Sequence, residues 1–262
     1  MWFSTPIAAV VLLATATSTT PSADQIIAKY VERVGGMQKI EAVTTLRRTG
    51  KLTNPGGNEA IIMKENKRPN LVRTDVTIQG MTAINAYDGT TGWKISPFQG
   101  KKDPETLGED EMKVILQDAD FDDQLIGYDK KGYQVESLGT DDVEGTATYK
   151  LRLTNKDGDT RTYYLDQDSG VPIKIEVRRM VRGAPQESET YLGDYKEVSG
   201  WYLPFSIETG VKGSDVRAKI TYEKIEANAP IDDQRFHMPA AKGGSGPAAA
   251  AAHSSVTLRD KD

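Results

Sequence analysis

Hydrophobic positions recur every three or four residues near the start of the chain and every second residue through most of the rest. Ile26, Ile27, Tyr30, Val31 and Val34 form one stripe, as in an amphipathic helix. Ser22 and Gln25 have the spacing of a capping box, Asp24 suits the positive helix end, and Gly35 and Gly36 stop the element. The pattern predicts a helix over residues 24–34 and a short second one over 37–42. From Thr45 the period is two. Val216, Ala218, Ile220 and Tyr222 alternate with Arg217, Lys219 and Thr221; Ile173 to Val177 and Tyr149 to Leu153 do the same, and Val72 to Ile78 less cleanly. Turn residues separate these runs: Pro55-Gly56-Gly57, Asp88-Gly89, Asp157-Gly158, Ser169-Gly170, Ser199-Gly200 and Gly213-Ser214. The gaps are too short for parallel crossovers, so about ten strands should form one antiparallel meander.

One helical segment interrupts the strands. Glu109 to Ala119 has an acidic first turn and an apolar face of Met112, Ile115, Leu116 and Ala119. It can cross the sheet as a cover, with a further turn over residues 122–126. The alternation is one-sided, so a wide sheet would present a broad apolar face with few helices to bury it. Large exposed apolar surfaces are rare in soluble monomers. The expected class is therefore mainly β (α+β): a large curved antiparallel sheet that curls on itself, with the helices plugging its concave side. Such a sheet is a container or, if side chains fill it, a packed core.

Composition bounds the rest. A chain of 262 residues with 37% hydrophobic and 27% charged residues is an ordinary globular protein. Its net charge of −5 offers no electrostatic footprint for nucleic acid. There is no cysteine, so disulfides, thiolate catalysis and a lipid attached to an N-terminal cysteine are excluded for this sequence. Residues 7–16 form an apolar run too short to span a membrane. With small residues at Ala14, Ala16 and Ala23, residues 1–23 are expected to be a signal peptide, although Met1 to Ser4 carry no positive charge. Residues 24–239 are expected to form the domain, and the alanine- and glycine-rich residues 240–262 a disordered tail. An exported, soluble protein follows.

Several motifs resemble one family in order. Tyr87-Asp88-Gly89 with Trp93 and Pro97 comes first, then Leu165-Asp166 with Ser169, Gly170 and Pro172. Asp194-Tyr195 with Val198, Gly200 and Pro204 follows, and Asp232 with Phe236 and Pro239 closes the set. Together they resemble the LolA/LolB-type lipoprotein carriers, especially the proteins described as outer-membrane lipoprotein-sorting proteins. The resemblance implies an unclosed β-barrel with a helical lid, an apolar cavity for the acyl chains of lipoproteins or lipids, a periplasmic location, and exchange with membrane-bound donor and acceptor proteins. No single residue here matches the arginine that controls the lid in the classical carrier. Trp93, Phe98, Met112, Ile115, Leu116, Trp201 and Phe205 are the candidate cavity or rim residues. Arg178, Arg179 and Arg182 are a candidate dock for headgroups or an acidic partner. The alternative is a non-catalytic envelope module that binds protein on the same sheet.

Catalysis has little basis. The histidines are His237 and His253, and no Gly-x-Ser-x-Gly elbow is present. The acid pairs Asp122-Asp123, Asp141-Asp142 and Asp232-Asp233 read as solvated loops. Asp118, Asp120 and Asp122 echo a calcium loop but lack its glycine and its closing glutamate. Neither an enzyme nor a cofactor is expected, no metal site is expected, and the chain is expected to be a monomer.

Overall fold

The computed structural model describes residues 20–241, so most of the expected signal peptide and tail lie outside the described residues. Helix α1 (Ala23–Arg33) begins with a complete capping box: Ser22 Oγ accepts from the Gln25 N–H, and Gln25 Oε1 accepts from the Ser22 N–H. Helix α2 (Met37–Ala42) follows after a two-glycine corner. Gly35 has φ +125°, and a side chain there would overlap the Gly200 carbonyl oxygen. Only glycine lets this corner seat against the sheet, where the Tyr202 N–H donates to the Val34 carbonyl at 2.9 Å.

Six strands come next: β1 (Thr45–Thr53), β2 (Glu59–Lys67), β3 (Leu71–Ile78), β4 (Met81–Tyr87), β5 (Gly92–Ser96) and β6 (Lys101–Thr106). Helix α3 (Glu109–Ala119) then crosses over. Seven more strands complete the sheet: β7 (Gln134–Val143), β8 (Thr146–Thr154), β9 (Thr160–Asp166), β10 (Pro172–Val181), β11 (Ala184–Val198), β12 (Trp201–Val211) and β13 (Arg217–Ala227). The spatial order is β6-β5-β4-β3-β2-β1-β13-β12-β11-β10-β9-β8-β7. Among the described residues every pairing is antiparallel, and β1 with β13 is the one pair of strands distant in sequence. Strands β6 and β7 do not pair, so the barrel stays unclosed.

Thirteen strands exceed the ten expected because β5 and β6 are short and β6 (Lys-Lys-Asp-Pro-Glu-Thr) has no apolar alternation to reveal it. Val216 is also displaced from its expected place: it is exposed just before β13, and Tyr222 and Ile225 supply the buried face of that strand.

The concave face carries the main core. Leu46, Ile62, Leu151, Leu153, Tyr163, Ile175, Val177, Leu203, Phe205, Tyr222 and Ile225 come from the sheet; Ile26, Ile27, Tyr30 and Val34 from α1; and Phe121, Leu125 and Ile126 from the segment after α3. A second cluster places Ile115 and Ala119 of α3 over Val72 and Tyr87, with Met112 and Leu107 at its margin. Met112 packs so closely on Gly92 that any side chain there would collide with its sulfur. The helices thus form the lid, one on each half of the sheet.

The convex face is held differently. Residues 228–236 fold back across β1–β3. Glu65, only 1% exposed, accepts from Arg47 Nε at 2.8 Å and from Arg235 Nε at 2.6 Å. Arg73 donates to the Arg235 carbonyl at 2.7 Å, and Trp93 Nε1 donates to the Phe236 carbonyl at 2.6 Å. On the other half, Glu189 accepts from Lys174 at 3.0 Å and Arg217 at 2.9 Å. Removing one partner of a buried ionic cluster leaves the others uncompensated. Glu65→Ala is expected to lower unfolding free energy by about 3 kcal/mol, the low end of the range for buried pairs, because both guanidinium groups reach water. Urea unfolding followed by far-ultraviolet circular dichroism checks this.

Candidate functional site

Where the two halves of the lid meet, they leave a cavity of about 230 Å³ on the concave face. Tyr30 of α1, Gln117 and Asp118 of α3, and Asp120, Phe121, Asp123 and Gln124 of the following segment form its roof. Arg48, Lys64, Asn66, Arg161, Leu192, Tyr195, Trp201, Leu203, Ile207 and Tyr222 form its floor and walls. The strand register explains the polar share. Arg48 lies opposite Lys64, and Leu46 opposite Asn66, so the apolar row of β1–β2 turns polar halfway along. The interior is therefore mixed, not the uniformly apolar surface the alternation predicts.

The roof is fastened to the sheet by polar bonds. Arg68, just beyond β2, donates to the Ile40 carbonyl at 3.0 Å, to the Val43 carbonyl at 2.8 Å and to Asp122 Oδ2 at 2.7 Å; a second bond reaches Asp122 Oδ1. Its guanidinium also stacks on Phe121, 4.4 Å from the ring centroid. One side chain thus ties α2, the sheet and the roof segment together. Lys64 pairs with Asp118 at 2.8 Å, and the Asn66 amide donates to the Asp118 carbonyl at 3.0 Å. Lys131 reaches both oxygens of Asp120, at 2.7 and 2.8 Å, and the Asp123 carbonyl at 2.6 Å.

The acid pair Asp122-Asp123 is thus not a solvated loop. Asp122 is bound to Arg68. Asp123 sits at φ +70° and accepts the Leu125 N–H at 2.9 Å. Burial pushes its carboxyl above the usual range, outweighing the Leu125 N–H and the fields of Arg161 and Lys131. Burial, and then the field of Asp123, also raises the Tyr30, Tyr163 and Tyr195 phenols. Tyr195 nonetheless donates to the Pro172 carbonyl at 2.7 Å.

The cavity and rim residues expected from the sequence are dispersed. Trp201 lines the cavity and packs on Phe121 with ring centroids 6.0 Å apart. Phe205 is buried in the same core, with Lys196 over its ring. Ile115 and Met112 lie in the second cluster over β3 and β4. Leu116 and Phe98 are exposed. Trp93 faces the convex side: its register partner Ala86 continues a row through Arg73 and Glu65, under Phe236. Alternation along β5 decides this, because Gly92 and Trp93 point to opposite faces. The basic cluster divides in the same way. Arg178 points outward and pairs with Glu187 at 3.5 Å; Arg179 points inward; Arg182 sits in the β10–β11 hairpin at φ +51°.

Residues that sequence patterns did not mark matter more here. Arg48 and Arg161 are polar residues at inward positions of β1 and β9, and that breach of the alternation is the signal that could have found them; Arg68 and Gln117 carry no such signal. His237 pairs with Asp88 at 3.2 Å on the surface. Among the described residues no group of three histidines or carboxylates could hold a metal, and no helix is long and apolar enough to cross a membrane.

An unclosed antiparallel barrel whose concave face is roofed by helices defines the LolA-like fold. A family model described as "-like: Uncharacterized protein" matches residues 108–240, and the chain belongs to that family. Three solved structures share its fold. A LolA superfamily protein from Nitrosomonas europaea is 15% identical, with 83% of this chain and 98% of that chain covered and a TM-score of 0.56. A candidate outer membrane lipoprotein-sorting protein domain from Vibrio parahaemolyticus is 12% identical, covering 82% and 97%, at 0.57. A DUF1329 family protein from Desulfovibrio piger is 12% identical, covering 84% and 98%, at 0.58. No match was found among curated proteins.

Because the folded site disfavours the ionised form of Asp123, stability is lost as pH rises through its raised pKa and is fully present below the ordinary value of 3.8. Asp123→Asn keeps the acceptor for Leu125 and tolerates the left-handed backbone. The variant is expected to melt above the wild type at pH 7, and the difference to vanish as pH falls toward 3.8. Thermal denaturation across that range checks it.

Proposed function

We propose that the chain is a non-catalytic periplasmic carrier that shelters acyl chains of lipoproteins or lipids between the sheet and its lid, for transport toward the outer membrane. The observation that carries this is the kind of bond that closes the lid. Arg68, Lys64 and Asn66 hold it by hydrogen bonds and ion pairs at the cavity margin, and water replaces such bonds readily when the lid parts. Lys29 and Arg33 fasten α1 to the Gln167 and Ser169 carbonyls by bonds of the same kind, and the apolar surface beneath it would need a substitute once they part.

Magnitudes agree with such an exchange. Burial of a large apolar side chain is worth about 1.5–3 kcal/mol, so Ile26, Ile27, Tyr30 and Val34 contribute roughly 6–12 kcal/mol. An acyl chain of about 15 methylenes gains on the order of 12 kcal/mol on leaving water. One such chain can therefore take the place of the inner face of α1 at little net cost. The LolA-like fold supports the same use, as does the description of the Vibrio domain as an outer membrane lipoprotein-sorting protein.

The filled interior favours a second use, as a platform for a protein partner. A cavity of about 230 Å³ lies below the 300–1,000 Å³ or so typical of small-molecule pockets, so without lid movement no acyl chain fits. On that alternative, replacing the outward-facing Arg178 and the hairpin Arg182 abolishes capture of a partner and leaves lipid uptake unchanged.

Purified protein is expected to release acyl lipid on solvent extraction, detected by mass spectrometry, and to take up a fluorescent long-chain fatty acid. Arg68→Gln removes the tie between α2 and the roof and is expected to speed probe entry about ten-fold, as loss of charge-assisted hydrogen bonds predicts. Protein that is lipid-free and refuses the probe, in both wild type and Arg68→Gln, would count against carriage.

A further inference from the structure

Two arginines on the concave face converge on a single uncharged acceptor. Arg161 of β9 donates from Nη2 to Gln117 Oε1 at 2.7 Å, and Arg179 of β10 donates from Nη2 to the same oxygen at 3.3 Å. Gln117 belongs to α3, the lid. No carboxylate forms an ion pair with either guanidinium among the described residues, although Asp123 acts on Arg161 and Asp159 and Asp118 act on Arg179 from further away. Those acids are otherwise engaged. Asp118 is paired with Lys64, and Asp120 with Lys131. Asp159 accepts the Met180 N–H at 3.2 Å. Asp123 is held toward its neutral form by burial. Burial and the charge of Arg161 both act against the charged form of Arg179.

Two further groups are unsatisfied beside this pair. The Arg161 Nε–H and the Tyr163 hydroxyl, on a fully buried residue, are buried without a well-formed hydrogen bond. The two lie close enough to influence each other's ionisation. Arg48, also lining the cavity, is held by the neutral Asn66 oxygen at 2.7 Å. Arg161 and Arg179 are part-buried, and guanidinium groups drawn out of water are ordinarily matched by carboxylate or phosphate. Here like charges meet at an amide oxygen, with a donor and a hydroxyl alongside that have no well-formed partner.

We propose that Arg161 and Arg179 form the seat for the anionic head group, a carboxylate or phosphate monoester, of a single-chain amphiphile, and that Gln117 occupies that seat while the lid is closed. The assignment rests on the carrier function and names its cargo class. When α3 lifts, its amide oxygen leaves and both guanidinium groups become free to accept an anion. Arg161 supplies a fork of Nε and Nη donors, and the Tyr163 hydroxyl supplies a third donor. The acyl chain then runs along the neighbouring apolar row of Leu153 and Val177, the register partners of Arg161.

The test is titration calorimetry of the full, delipidated chain with dodecanoate, dodecyl phosphate, dodecan-1-ol and inorganic phosphate. The anionic amphiphiles are expected to bind about ten-fold or more tightly than the alcohol, the size of a charge-assisted pair. Arg161→Gln with Arg179→Gln should bring them down to the alcohol and leave the alcohol unchanged. Gln117→Glu, which places a carboxylate in the seat without removing either arginine, should weaken the anionic amphiphiles alone and raise the melting temperature. Equal affinity for dodecanoate and dodecan-1-ol overturns the seat while leaving the carrier intact. Tight binding of inorganic phosphate that the dodecyl chain does not improve overturns the amphiphile in favour of a free anion. If no dodecyl compound binds, the carrier function itself fails, and the seat with it.

Discussion

A sheet of thirteen strands cannot bury its own concave face, and the rest of the structure follows from that constraint. Closing β6 onto β7 would shrink the exposed surface, but the two edges do not pair. The interior must then be filled by separate elements. Helix α1 covers the half built from β8–β13 and β1, and α3 covers β3 and β4. Covers that are not part of the hydrogen-bonded ladder can move without breaking it. The same constraint that makes the core therefore makes a container possible.

The two faces solve opposite problems. On the convex side, the returning chain at residues 228–236 and the buried acids Glu65 and Glu189 lock the strands in place. On the concave side the corresponding polar residues fall between lid and sheet, where Arg68 alone touches α2, β2's end and Asp122. Rigidity sits behind the sheet and separable bonds in front of it. This division suits a protein that must hold its strands while exchanging what lies against them.

Much of the fold was legible because local physics specifies it. The helix over 24–34, the helix over 109–119 and the hairpin turns match the observed elements to within a residue or two. The motifs that carried the family resemblance are turn and anchor residues. Asp88 accepts the Thr90 and Thr91 N–H groups, Asp166 accepts from Asp168 and Ser169, and Tyr195 donates to the Pro172 carbonyl. Such residues are recognisable because a tight turn admits few side chains. They identify the fold and carry no cargo chemistry.

The site was not legible for a related reason. Arg48, Arg161 and Arg179 each break an apolar row singly, Gln117 breaks none, and single breaches look like noise along a chain. Alternation could tell that Arg178 and Arg179 face opposite ways, yet not which side was concave, nor that Trp93 lies on the convex face beneath Phe236. By itself the sequence determined the period of each segment, its turns, and the antiparallel class, because these depend on neighbours within a few residues. Only the tertiary structure decided which polar residues meet across the cavity. Residues 117, 161 and 179 come from three elements, and nothing but the curl of the sheet and the crossing of α3 brings them to one oxygen atom.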